Sequence, residues 1–276
     1  MSSFLPIRSD CPLCGSAALA HHADITTSGY SFSLDRCGGC GFIFMNPRFD
    51  DAAINAMYGG GYYEGTAQFS YIDERTNEEF ASHVWKARLR TIRKFAKGGN
   101  LLDVGASFGG FMNAAAKWFT PYGIELSQYS GGYAKRRFGE NLHIGTLDDC
   151  PFPGSSFSVS TMIELIAHLA DPISALRKCR ELLAPGGVLV IQTADCAAWQ
   201  AVDAGNSYHY YLPGHLSCFT EESLCAAIMR AGFSSYRVFR PVDFGLLPKL
   251  LKMRGGFSSW RDYRRWIATS IYHFKG

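Results

Sequence analysis

Two carboxylates, Asp103 and Glu125, flank a glycine-rich turn in NLLDVGASFGGFMNAAAKWFTPYGIELS (100–127). Glu125 falls twenty positions past Gly105, where a carboxylate can accept both hydroxyls of a ribose. Gly105, Gly109 and Gly110 let the backbone approach a ligand closely, and the N–H groups opening the next helix attract polar or negative groups. Asp103 would repel a pyrophosphate, but it suits a cationic, amino-acid-bearing cofactor. A dinucleotide fingerprint would need glycine at 107, where this chain has Ser107. A second chemical set is Cys11-Pro12-Leu13-Cys14 and Cys37-Gly38-Gly39-Cys40, two knuckles separated by 22 residues. Four thiolates at this spacing make a closed, structural Zn2+ site with no open ligand position. His21 and His22 lie between the knuckles; with the shell complete, both are read as surface residues.

The elements that position these groups follow from the same stretches. Leu101, Leu102 and Val104 read as a buried strand, followed by the glycine turn, an Ala-rich helix and a second strand ending at Glu125, half of a βαβ unit. The stretch resembles the S-adenosylmethionine site of class I methyltransferases, with Asp103, Gly105, Ser107, Gly109 and Glu125 as the cofactor-binding set. Further on, NLHIGTLDDCPFPGSSFSVSTMIELIAHLADP (141–172) is similar to that family's Gly-x-x-x-Asp-x-Pro-Phe turn and the strand after it. The resemblance implies that Thr146, Leu147 and Asp148 read the adenine, with Asp149 the alternative carboxylate. Thr146 stands where the family often has Asp, and Ala167 where a Glu usually precedes His168. An N-terminal CGxCGxxFxNPR (37–48) with a later GHLSCFT (214–220) is similar to a bacterial group associated with sugar nucleotides, surface polysaccharides or other small metabolites. Some of that group are sugar C-methyltransferases with a further C-terminal domain. The sequence ends at 276 without one, so that activity is not the expectation.

The implied fold class is α/β, a doubly wound, seven-stranded Rossmann-like methyltransferase sheet with a small N-terminal zinc ribbon. The expected divisions are a ribbon over 1–48, a helical lid or linker over 49–97, and the S-adenosylmethionine-dependent methyltransferase domain over 98–276. TTSGYSFSLDRC (26–37) alternates as a hairpin should. The lid reads as DDAAINAMY, an aromatic loop, and an amphipathic helix through FASHVWKARLRTIRKFA that ends at Gly98-Gly99. Tyr62, Tyr63 and Tyr71 either stack on cofactor or substrate or pack the lid on the sheet; Tyr62 is the one carried as cofactor-binding. Asp171-Pro172 opens a helix that closes at Pro185-Gly186-Gly187, and VLVIQT is a buried strand. Thr220 caps a helix running to Gly232. SSYRVFRPV and SIYHFKG read as two final strands, separated by an insertion (246–268) with six basic residues and one acid.

Methyl transfer to a hydroxyl needs a base; transfer to a neutral amine does not. His215, in LPGHLSCF, is the first candidate base, His168 the second, and Glu164 the third. The expected reaction is methyl transfer to a small molecule such as a sugar, nucleotide-sugar or polysaccharide precursor. The alternatives are a methyltransferase acting on protein or nucleic acid and a non-catalytic cofactor-binding protein. A net charge of +3 argues against nucleic acid as the main partner. The absence of a membrane-length apolar run or secretory leader, with nine cysteines of which five are scattered like core residues, points to the cytoplasm. Sequence fixes neither the acceptor atom nor the oligomeric state.

Overall fold

The computed structural model describes residues 3–58, 61–62, 73–239, 259–261, 263–264 and 266–267. In chain order come β1 (Leu19–Thr27), β2 (Tyr30–Cys37), β3 (Ile43–Met45) and α1 (Asp51–Met57). Next are α2 (Glu78–Ile92), β4 (Asn100–Val104), α3 (Gly110–Ala115), β5 (Thr120–Glu125), α4 (Gln128–Phe138), β6 (Leu142–Ile144) and β7 (Phe157–Ile163). The chain continues through α5 (Pro172–Leu182), β8 (Leu183–Gln192), α6 (Trp199–Ala204), β9 (Ser217–Cys218) and α7 (Glu221–Arg230). Two compact units result: one from Met1–Ile72, Met162–Glu181 and Ile191–Tyr236, the other from Asp73–Thr161, Leu182–Val190 and Arg237–Gly276.

The first unit holds the sheet β1-β2-β3-β9. Ser28 (φ 51°) and Gly29 (φ 75°) both take left-handed backbone between Thr27 and Tyr30, the turn whose twist matches a two-residue hairpin. β3 adds to β2, and β9 adds to β3 through the antiparallel pair Ile43↔Cys218. The ribbon therefore shares its core: Ile25, Phe32, Leu34, Ile43 and Met45 are buried in one cluster with Tyr208, Tyr211, Leu216 and Cys218. His22 is a correction to the surface assignment, because its Nε2 lies 3.2 Å from Tyr211 Oη and its ring is half-buried. Both helix caps expected here are formed. Asp171 accepts from the Ser174 N–H at 2.9 Å, and Thr220 and Ser223 make a reciprocal capping box.

The second unit is built on the sheet β6-β5-β4-β7-β8, in which β4/β5 and β5/β6 are parallel. The order runs outward in both directions from β4, so the ends of β4 and β7 mark the point where such sheets open a ligand crevice. Trp85, Leu89 and Ile92 of α2 pack with Leu101, Phe111, Ala115 and Val159. β8 begins at Leu183, earlier than expected, because Pro185 biases Ala184 towards extended backbone and ends α5 at Leu182. Five strands of this sheet lie among the described residues. Of the two expected to complete seven, the first is irregular over 234–239, and the second, SIYHFKG, lies outside the described residues, as do Tyr63 and Tyr71. Within the basic insertion, 260–261, 263–264 and 266–267 are helical. Among the described residues, no helix is long and apolar enough to cross a membrane.

Candidate functional site

In the second unit, β4 delivers a buried Asp103, whose Oδ1 accepts the Thr161 Oγ1–H at 2.6 Å. The chain then turns through Gly105 (φ 82°), Ser107 (φ 50°) and Gly109 (φ 79°), three left-handed residues in five. Ser107 occupies the conformation that a glycine would take, which accounts for a serine inside a glycine pattern; the side chain is tolerated at a cost in strain. A Cβ on Gly110 would collide with the Trp85 indole, so α3 can begin there only on a glycine.

Glu125, at the end of β5, is also buried. Its Oε2 accepts the Ser107 N–H at 2.7 Å and its Oε1 the Ser127 N–H at 2.9 Å. A carboxylate has about four acceptor positions, of which these bonds use two. Glu125 pairs with Ile144 of β6, and its carbonyl accepts the Gly145 N–H at 3.0 Å, which starts the next turn beside it. In that turn Asp149 accepts from Thr146 N–H (2.7 Å) and Thr146 Oγ1 (3.0 Å), and lies 2.9 Å from His143 Nε2. The bonds to His143 and Thr146 hold its carboxyl below the usual range. Gly145 has no room for a side chain, since a Cβ would meet His143 and Asp149. Asp149 is thus engaged within the turn, while the exposed Asp148 makes no hydrogen bond among the described residues; Leu147 is half-buried.

The candidate bases lie in the first unit, and the fold brings them together. His168, from the short helical turn after β7, and His215, from the loop after β8, meet edge to face with ring centroids 4.6 Å apart. His215 Nδ1 lies 2.7 Å from the Tyr210 carbonyl, and His168 Nδ1 lies 2.9 Å from that of Gly214. A carbonyl only accepts, so both Nδ1 atoms carry protons and the basic nitrogen of His215 is Nε2. Tyr58 Oη sits 2.6 Å from His168 Nδ1, and Tyr62 packs edge-on to Tyr58 at 4.9 Å. Burial, then the neighbouring His168, brings His215 down to about 3, against a smaller opposing pull from the Tyr210 carbonyl. Burial likewise lowers His168. Glu164, the third candidate, has a left-handed backbone (φ 54°) and accepts from Gln192 Nε2 at 2.6 Å.

Cys11, Cys14, Cys37 and Cys40 place their Sγ atoms within 4.8 Å of one another, with Cys11–Cys40 at 3.7 Å and Cys14–Cys37 at 3.5 Å. A tetrahedral ion with Zn–S bonds of about 2.3 Å has edges of about 3.8 Å, so the donor set fits. The knuckles use the same turn: Gly15 N–H reaches Cys11 O at 2.8 Å, and Gly41 N–H reaches Cys37 O at 2.9 Å. Burial pushes the Cys11 thiol up to about 11. Burial also raises Cys37, but the N–H groups of Cys40 and Gly39 together with the Cys14 and Cys11 side chains bring that thiol to about 7.

Tyr58, Thr161 and Gln192 were missed from sequence; Tyr58 caps the end of α1, the other two sit in ordinary strands, and each gains its contacts only through partners distant in sequence. Arg88, buried on α2 at 9% exposure, was also passed over, although a charged residue on an apolar helix face was a visible signal.

Residues 76–237 match the model of a family described as a methyltransferase domain. An uncharacterized 37.1 kDa protein in transposon TN4556 of Streptomyces fradiae is 29% identical over 156 residues, covering 52% of this chain and 45% of that protein. A ubiquinone biosynthesis O-methyltransferase of Parvibaculum lavamentivorans is 29% identical over 130 residues, covering 46% of this chain and 50% of that protein. The chain thus spans about half the length of these relatives. Phosphoethanolamine N-methyltransferase 2 of Haemonchus contortus, solved with S-adenosyl-L-methionine, shares the fold at a TM-score of 0.55 and 15% identity, over 93% of this chain and 64% of that one. With more than half of the sequence inside the family match, the chain belongs to the methyltransferase-domain family.

Proposed function

We propose that the protein is an S-adenosylmethionine-dependent methyltransferase acting on a small molecule. The observation that carries the proposal is the paired placement of Asp103 and Glu125 around the left-handed turn at 105–109, with the Gly145–Asp149 turn starting from the Glu125 carbonyl. When bound, S-adenosylmethionine supplies an electrophilic methyl group on a sulfonium. Glu125 accepts the ribose hydroxyls, Asp103 faces the cationic amino-acid end, and Gly105, Ser107 and Gly109 allow close approach. Leu147 and Asp148 read the adenine, Asp149 being occupied within its turn. Tyr62 is assigned to stacking. Alignment of acceptor and methyl group can contribute roughly 7–11 kcal/mol, so the residues need little covalent chemistry.

His215 and His168 are the proposed acceptor-side groups. Half-buried and uncharged, they favour an acceptor that is itself neutral. With His215 at about 3, its Nε2 is a weak base, which supports an amine or an acidic hydroxyl better than an unactivated sugar hydroxyl. An amino group on a sugar or sugar nucleotide fits both this proton balance and the small-metabolite expectation. The four cysteines hold one structural Zn2+.

Incubation with methyl-labelled S-adenosylmethionine and separate metabolite, protein and RNA fractions tests the proposal. Label is expected in the metabolite fraction. Label confined to protein or RNA would overturn the acceptor class, and cofactor binding without transfer to any fraction would overturn the enzyme.

A further inference from the structure

The turn entering α2 carries a cation that the binding roles above leave unused. The Arg75 guanidinium lies 3.9 Å from the Phe108 ring centroid, 4.9 Å from that of Tyr133 and 5.8 Å from that of Tyr129. Tyr129 and Tyr133, on α4, meet Phe108 edge-on at 6.0 Å and 5.7 Å. Asp73 holds the guanidinium from the other side: Nη2 donates to Oδ2 at 2.6 Å, and Nε lies 3.0 Å from both oxygens. Phe108 is not a peripheral ring. It stands between Ser107 and Gly109, inside the turn that the cofactor proposal depends on.

That turn is strained. A left-handed serine persists only where its surroundings over-determine it. On one side the Glu125 carboxylate fixes the Ser107 N–H. On the other, the neighbouring Phe108 ring is pressed between a cation and two aromatic edges. A planar guanidinium can stack on a ring while an aspartate holds its fork, which an ammonium cannot do as well.

We infer that Arg75 is a positioning residue for the cofactor site: clamped by Asp73 onto Phe108, it holds the Gly105–Gly109 turn in the backbone that receives S-adenosylmethionine. This rests on the cofactor proposal above.

Calorimetric titration of the full chain with S-adenosylmethionine tests it, using Arg75→Gln, Arg75→Lys, Phe108→Leu and the double variant Arg75→Gln/Phe108→Leu. Arg75→Gln weakens binding by roughly 3- to 10-fold, the size of a partly desolvated cation–π contact, with unchanged far-UV dichroism. Arg75→Lys recovers part of that loss, because the charge survives and the fork does not. The double variant binds no more weakly than the poorer single variant, since both single changes release the same clamp. Wild-type affinity in Arg75→Gln, or single losses that simply add, overturns the role of Arg75 while leaving the cofactor proposal standing. A wild-type protein that takes up no S-adenosylmethionine overturns the cofactor proposal itself.

Discussion

The carboxylates of the second unit are buried and the histidines of the first half-buried, and their immediate partners are opposite in kind. Asp103 and Glu125 are met by donors: a threonine hydroxyl and two backbone N–H groups. His168 and His215 are met by carbonyls that bind the Nδ1 proton, and burial keeps the rings uncharged. The first region is built to keep charge without bulk water, and the second to exclude it. The difference matches the proposed division of labour between a polyhydroxylated, cationic co-substrate and an acceptor that must arrive neutral in order to attack.

Four experiments break or sharpen that contrast. The largest effect is expected from stripping the metal, because structural zinc contributes on the order of 10 kcal/mol to small modules. The purified protein should carry about one zinc, measured by elemental analysis. After chelation, hydrogen exchange should show protection lost over 19–45 and 208–218 and kept over 100–125. Equal loss in both regions would erase the distinction. Next in size, Glu125→Ala should weaken S-adenosylmethionine binding at least roughly 100-fold by calorimetry, since each hydrogen bond to a charged acceptor contributes about 1.5–3 kcal/mol. Unchanged affinity would remove the carboxylate from the site.

The third experiment concerns pH. His215 is held near 3, below its unfolded value of about 6.5, so the unfolded chain binds the additional proton as pH falls. Its contribution is complete above about pH 6.5 and is lost progressively towards about pH 3. Urea midpoints of wild type and His215→Gln across this range should therefore converge in acid. Parallel curves would show that the imidazole titrates normally. The smallest effect belongs to Ser107→Gly. It removes the left-handed strain and should raise stability by about 0.5–1 kcal/mol in urea unfolding, with cofactor affinity within about 2-fold of wild type. A large loss of affinity would mean that the serine hydroxyl itself touches the ligand.

Asp103, the glycines and Glu125 were legible as one local set, because they lie on consecutive elements of the chain. The ribbon hairpin and the caps at Asp171 and Thr220 were readable for the same reason. Ser107 was seen only as a misfit, since letters report side chains and the left-handed turn is a backbone property. The meeting of Tyr58, His168 and His215 depends on loops far apart in the chain, Tyr58 lying 110 residues before His168, beyond any periodicity. SSYRVF alternates like a strand, yet over 234–239 it is irregular, and Tyr236, Val238 and Phe239 remain exposed. Alternation alone does not provide a neighbouring strand to pair with.

The β3–β9 pairing affects how a ribosome makes this protein. All four clustered cysteines have been translated by Cys40, whereas the strand that completes the ribbon's sheet is not synthesised until Ser217–Cys218. The four thiols can therefore meet long before the sheet closes, and the hairpin must wait, partly uncovered, while most of the other unit emerges. Neither unit is a continuous piece of chain, so no single cut separates them.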